Sequence, residues 1–278
     1  MSILKKHSSN RLIRQSTRLL SFGLLVQGLA VAHPGQSPDA KTRSAAQRVN
    51  IPEAIENARK DDPASIYFVE QIAEAGAVQA VPMLEEKFER TKDPLDKAHV
   101  ASALVRLGDT NPNYWDFLVD EATPAVQSQV PDPFQYDAKG KLIKGISPDF
   151  EAWAKAHGAP PGKVYYDQMY LFPGALGLLA MTHDARALPL LREGLSSPNY
   201  MIEAEAALGL AELDDQRSVP DIIRACKQAP ADAARAIAGS LVYFDDPEAQ
   251  RTVDRYFSKE SAKARREATA RGQRPLGD

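Results

Sequence analysis

The chain has 278 residues, 44% of them hydrophobic and 26% charged, with 34 basic and 37 acidic side chains. That composition supports a sizeable core and excludes wholesale disorder or a collagen-like chain. The single cysteine, Cys226, excludes an internal disulfide and any cysteine-built zinc or iron–sulfur site.

Residues 1–32 read as an address. They hold Lys5, Lys6, Arg11, Arg14 and Arg18 and no acidic residue, followed by an apolar run from Leu19 that ends in Ala30-Val31-Ala32. A basic region, a short apolar region and a small-residue exit describe a cleavable signal peptide, cut before His33. The apolar run falls short of the roughly 20 residues a membrane span needs, so no stable span is expected after cleavage. Removal leaves 29 basic residues against 37 acidic ones. Such a balance disfavours nucleic acid, whose phosphates must be neutralised by Lys and Arg. Export to the periplasm or beyond is the expected localisation, with 33–50 as a polar linker.

From residue 51 the chain reads as helix pairs: a leader pair over 51–75, full pairs over 77–107, 111–182, 184–213 and 215–244, and a half-repeat cap over 247–257. Two of these align without gaps at a spacing of 31 residues: Pro189 falls on Pro220, Leu210 on Leu241, Asp214 on Asp245 and Asp215 on Asp246. In the first helix of the 184–213 pair, Leu188, Leu191 and Leu195 share one helical face. Pro189 occupies the first turn, where its missing N–H breaks no bond. Small residues at 206, 207 and 209 allow close approach of neighbouring helices. The aspartates at the junctions (Asp109, Asp184, Asp215 and Asp246) are placed to cap the helix that follows. The basic stretch 258–278 starts helix-prone and is read as a solvated charged extension, with attraction to an anionic surface as the other reading.

These motifs carry a resemblance to a known family. Asp-x-Arg-Ala-Leu-Pro-x-Leu at 184–191, Ala-Leu-Val-Arg-Leu-Gly-Asp at 103–109 and Asp-Asp-Gln-Arg-Ser-Val-Pro at 214–220 resemble HEAT repeats, of the short type also found in phycobilisome-lyase-like proteins. The resemblance covers roughly 62–127 and 164–257. It implies an all-α fold, a right-handed α-α superhelix of the ARM/HEAT solenoid type, whose curved inner surface binds another protein. It does not imply lyase activity.

The 111–182 pair is more than twice the ordinary length because of an insertion at about 128–164. Phe134, Tyr136, Phe150, Trp153, Tyr165, Tyr166, Tyr170 and Phe172 concentrate aromatics in and around it. Asp137 to Lys141 reads as the tight turn of a small hairpin. Ser147-Pro148-Asp149 opens a short helix, with Ser147 as its N-cap. The aromatics support two readings: a satellite core sealing the insertion, or an exposed recognition patch.

Signals for chemistry are sparse. His33, His99, His157 and His183 lie at least 26 residues apart, so no helix-borne zinc pair forms, and no metal or cofactor is expected. No nucleophile elbow and no phosphate-cradling loop appears. Cys226, near Ile222 and Ile223, reads as a buried small hydrophobe. The expectation is therefore a non-catalytic exported scaffold that binds a protein or peptide partner through its groove and insertion. Candidate contact residues are Trp153, Tyr165 and Tyr166 in the insertion, with Lys97, His99, Arg106, Glu203, Asp232 and Arg235 exposed on second helices. The alternative is a small-ligand binder or enzyme with a pocket between insertion and solenoid, for instance one joining His157 to Asp167 or Asp132. A third reading is a structural envelope component held by the basic tail.

Overall fold

The structure, a computed structural model, describes residues 49–62, 64–127, 129–156 and 172–270. Residues 1–48, which include the expected signal segment and most of the expected linker, lie outside the described residues, as do His157, Tyr165, Tyr166, Asp167, Tyr170 and the tail beyond 270.

The described chain is mostly helical. Helices α1 (Ile51–Ala58) and α2 (Ser65–Glu74) form the first pair, and α3 (Val81–Arg90) and α4 (Pro94–Arg106) the second. Helix α5 (Pro112–Gln127) pairs across the insertion with α7 (Phe172–Met181). Between them come β1 (Phe134–Tyr136), β2 (Leu142–Ile146) and α6 (Pro148–Ala156). Then follow α8 (Leu188–Gly194) with α9 (Tyr200–Glu212), α10 (Val219–Gln228) with α11 (Ala231–Ser240), and finally α12 (Pro247–Tyr256) and α13 (Lys259–Ala270).

Local chemistry accounts for the starts. A single 3-10 turn precedes α3, α8 and α10, and each of those helices carries its proline at the second position, Pro82, Pro189 and Pro220. Asp93 caps α4 by accepting from the backbone N–H groups of Leu95 and Asp96, Asn199 caps α9 through Met201, and Asp246 caps α12 through Glu248 and Ala249. Asp109 and Asp184 fill the expected junction role, accepting from Asn111 N–H at 2.8 Å and Arg186 N–H at 2.9 Å. Asp215 departs from it. Its side chain caps no backbone group and instead takes a two-pronged bond from Arg192, at 2.9 and 2.7 Å, plus the Ser218 hydroxyl.

The ends repeat as well. After α2, α4, α7 and α9 the backbone turns left-handed at Gly76 (φ +63°), Gly108 (+88°), His183 (+55°) and Asp214 (+51°). At three of them the next N–H folds back onto the last helical turn: Ala77 to Ile72 O, Asp109 to Leu104 O and Asp215 to Leu210 O. This shared backbone state is the physical content of the Leu107-Gly108-Asp109 and Leu213-Asp214-Asp215 correspondence.

Packing follows the pairs. Each first helix lies on its own second helix, and the second helices α2, α4, α7, α9 and α11 pack one on the next. A single apolar cluster runs from Ala54 to Ala262 through Leu84, Leu104, Leu118, Leu179, Leu210 and Ile237. Gly209 allows a close helix approach in it, since a Cβ there would lie 2.7 Å from the Ala180 Cβ and from Leu191 Cδ2. Cys226 is buried in this cluster, and burial pushes its thiol up to about 12.

The basic stretch differs from the expected solvated extension. Residues 259–270 form α13, which packs on the 3-10 turn Leu241–Tyr243, buries Ala262 completely and ties Arg266 to Asp254 at 2.8 Å and to Gln250. A small apolar side chain at 262 lets a charged helix dock. Among the described residues no helix is long and apolar enough to cross a membrane.

Candidate functional site

The insertion folds as the antiparallel hairpin and short helix expected of it. Asp137 organises the turn, its Oδ1 accepting from Lys139 N–H at 2.8 Å and Lys141 N–H at 2.9 Å. Tyr136 pairs with Leu142 and Phe134 with Ile146, and the register irregularity between them is taken up near Gly145, where φ is +137°. Ser147 caps α6 with a long 3.5 Å bond from Phe150 N–H. Phe150, Ala154 and Val130 are buried as a second small core, with Ile146 and Trp153 partly covering it. The Phe150 and Trp153 rings stack at 6.2 Å. Phe150 thus takes the satellite-core role, while Trp153 is only half buried.

What the insertion does to the helices is less expected. Asp132 Oδ1 accepts from Phe134 N–H at 2.7 Å, and its Oδ2 accepts from Tyr200 N–H at 2.9 Å, at the N-terminus of α9. The hairpin turn meets α11 in the same manner: Gly140 O accepts from Asp232 N–H at 3.0 Å. The Asp232 carboxylate accepts in turn from Leu142 N–H at 2.8 Å and Lys141 Nζ at 2.7 Å. An insertion hung on the third pair therefore holds the N-termini of the second helices of the fourth and fifth pairs. Each such bond satisfies a helical N–H that has no partner within its own helix. Asp232, expected to be exposed for a partner, is engaged by the hairpin, and Lys141 holds its carboxyl below the ordinary value.

Glu203 is a plainer correction. Expected on an exposed helix face, it is only 8% exposed, and its Oε2 is enclosed with no hydrogen-bond partner. Burial pushes its carboxyl up to about 8, with the nearby Asp132 adding to the effect. Asp132 itself is pushed up to about 6 by burial, which its two backbone N–H bonds offset only in part. Glu203 also lines a cavity of about 590 Å³ between α8, α9 and α10, together with Arg192, Ser197, Tyr200, Arg224 and Gln228. The Tyr200 ring meets Tyr136 of the hairpin edge-on at 5.9 Å.

The remaining candidates divide. His99 Nδ1 and Arg106 Nη1 both lie 2.7 Å from the Glu70 carboxylate, bridging α4 to α2. Burial raises the Glu70 carboxyl, but these two partners outweigh it and hold it below its ordinary value. Lys97 lies 4.2 Å over the Phe88 ring and 5.4 Å from Phe117, half buried rather than exposed. Arg235 is exposed as expected, with its guanidinium 5.3 Å over Phe257. Tyr165 and Tyr166 lie outside the described residues.

The residues that sequence reasoning did not bring together are Asp132, Tyr200, Glu203, Arg192 and Arg224. Their contacts cross from insertion to helix and from pair to pair, and no local spacing announces them. Among the described residues, no three His, Cys, Asp or Glu side chains converge as a metal site requires. These features define an all-α protein of successive helix pairs, clamped by an inserted hairpin and carrying a polar cavity. No family model and no curated protein matches the chain.

Proposed function

We propose that this is an exported, non-catalytic α-solenoid of HEAT-like repeats that binds a protein or peptide along its second helices. The observation that carries the reading is the succession α2, α4, α7, α9, α11, in which helices of one kind pack each on the next through every pair. Such a strip offers a binding surface far longer than any one helix, as repeat proteins use it. Tyr67 on α2 and Leu208 on α9 are large hydrophobics 58% and 39% exposed on helices of that strip. Arg235, exposed on α11, supplies charge at one end, while Glu70, His99 and Arg106 at the other are engaged with one another. Export rests on the basic, apolar and small-residue pattern of residues 1–32.

The test is site-specific photocrosslinking in the native envelope, with the probe at Leu208 or Tyr67 and, as comparison, at Arg251 on the first-type helix α12. A discrete adduct from the second helices and none from α12 supports the reading. Equal labelling from all three, or none from the second helices, refutes it.

A further inference from the structure

The cavity at α8, α9 and α10 has an uneven charge inventory. Arg192 is paired with Asp215, and Arg224 with Asp221. Among the described residues, Glu203 is the ionisable lining group with no partner of opposite charge, and one of its two oxygens, Oε2, is enclosed without a hydrogen-bond partner. The second carboxylate at this junction, Asp132, is already committed to two N–H groups of the backbone. A buried carboxylate of this kind is stabilised by a group that brings both positive charge and N–H donors.

We propose that this cavity is a binding site for a small primary amine, with Glu203 receiving its ammonium group. The volume of about 590 Å³ admits a small molecule, and Tyr200 adds an aromatic ring to the wall. Ser196, Ser197 and Gln228 make much of the remaining wall polar, which favours a short polar amine over a long alkyl one. A quaternary ammonium brings charge without donors and leaves the carboxylate unsatisfied.

Burial, with Asp132 from the insertion, sets the proton balance of Glu203; the other titratable and charged groups around it are Tyr200 on its own helix, Arg192 from α8, and Asp221, Arg224 and Cys226 from α10. With its carboxyl held near 8, Glu203 carries a proton at neutral pH. Receiving an ammonium ion therefore releases that proton to solvent. This site shares α9 with the second-helix strip, but its test does not depend on a partner binding there.

The experiment is titration calorimetry of the full chain with ethanolamine and butylamine, using ethylene glycol and tetramethylammonium as controls. Binding of an amine, weakened at least about tenfold in Glu203→Gln while that variant still unfolds in one cooperative transition, is the expected result. Repeated at pH 7 in two buffers of different ionisation enthalpy, the heats should report release of close to one proton per amine bound. No binding of either amine up to ~10 mM overturns the proposal. So does equal binding by Glu203→Gln, equal binding of either control, or binding without proton release.

Discussion

Replacing Glu203 by Gln should change how stability depends on pH, and the size of the change follows from its burial. The carboxyl sits near 8 in the folded chain against 4.5 for the free group. Between those values the native state holds a proton that the unfolded chain has lost, so stability falls as pH rises through the window and levels off above it. At about 1.4 kcal/mol per pH unit, full ionisation destabilises the fold by up to ~5 kcal/mol. Relaxation and water entry reduce this, and ~2–5 kcal/mol is the expected range. Asp132, near 6, and Glu205, pushed up to about 8 by burial and by Glu212, slope in the same direction. They remain in the variant. Urea denaturation at about pH 5 and pH 9 should show the gap between the Glu203→Gln variant and wild type moving by ~2–4 kcal/mol in favour of the variant at the higher pH, because pH 5 already lies inside the window. Because a buried amide has its own fixed cost, the test lies in the difference between the two pH values. Parallel curves for the two proteins would refute the reasoning.

Gly209→Ala places a methyl group 2.7 Å from Ala180 Cβ and Leu191 Cδ2, and should lower stability by ~1–3 kcal/mol, read as a drop in melting temperature. His183→Gly and Asp214→Gly relieve left-handed backbone at φ +55° and +51°, and each should raise stability by ~0.5–1 kcal/mol; a loss in both would show that the side chains matter more than the turn. Asp232→Ala should speed hydrogen exchange at the Leu142 amide, whose N–H the carboxylate accepts, while amides of α2 and α4 keep their protection. Phe150→Ala empties the small core of the insertion, and proteolysis within 130–156 should accelerate before any cut in α9 or α10.

The sequence was most legible where structure is local. Pro189 and Pro220 marked helix starts because a proline in the first turn has a purely local reason to be there. Asp137 and Ser147 marked the hairpin turn and the cap of α6 on the same grounds. The left-handed residues were half visible, since glycine announces Gly76 and Gly108 whereas nothing about His183 or Asp214 does. The site was less legible. Glu203 was placed on a wet face by its charge, and its burial depends on Asp132 and Tyr200, which come together only when the insertion lies across α9. Asp215 followed the junction spacing of its siblings, yet Arg192 one helix earlier captured its side chain. Docking of α13 rests on a buried Ala262 and on the Arg266 contacts to Asp254 and Gln250, small signals within a charged stretch.

The hold of the insertion on α9 and α11 has a mechanical consequence. In a row of helix pairs where each touches chiefly the next, tension applied at the ends can peel pairs away singly. Here a strand of the third pair is fastened to the starts of two later helices, at Tyr200 and at Asp232. Force reaching α9 or α11 must therefore break the hairpin contacts together with helix packing, and the load is shared over three pairs. The first two pairs carry no such fastening among the described residues, and neither do α12 and α13, so the fastened pairs form a stiffer middle between two plainly stacked ends.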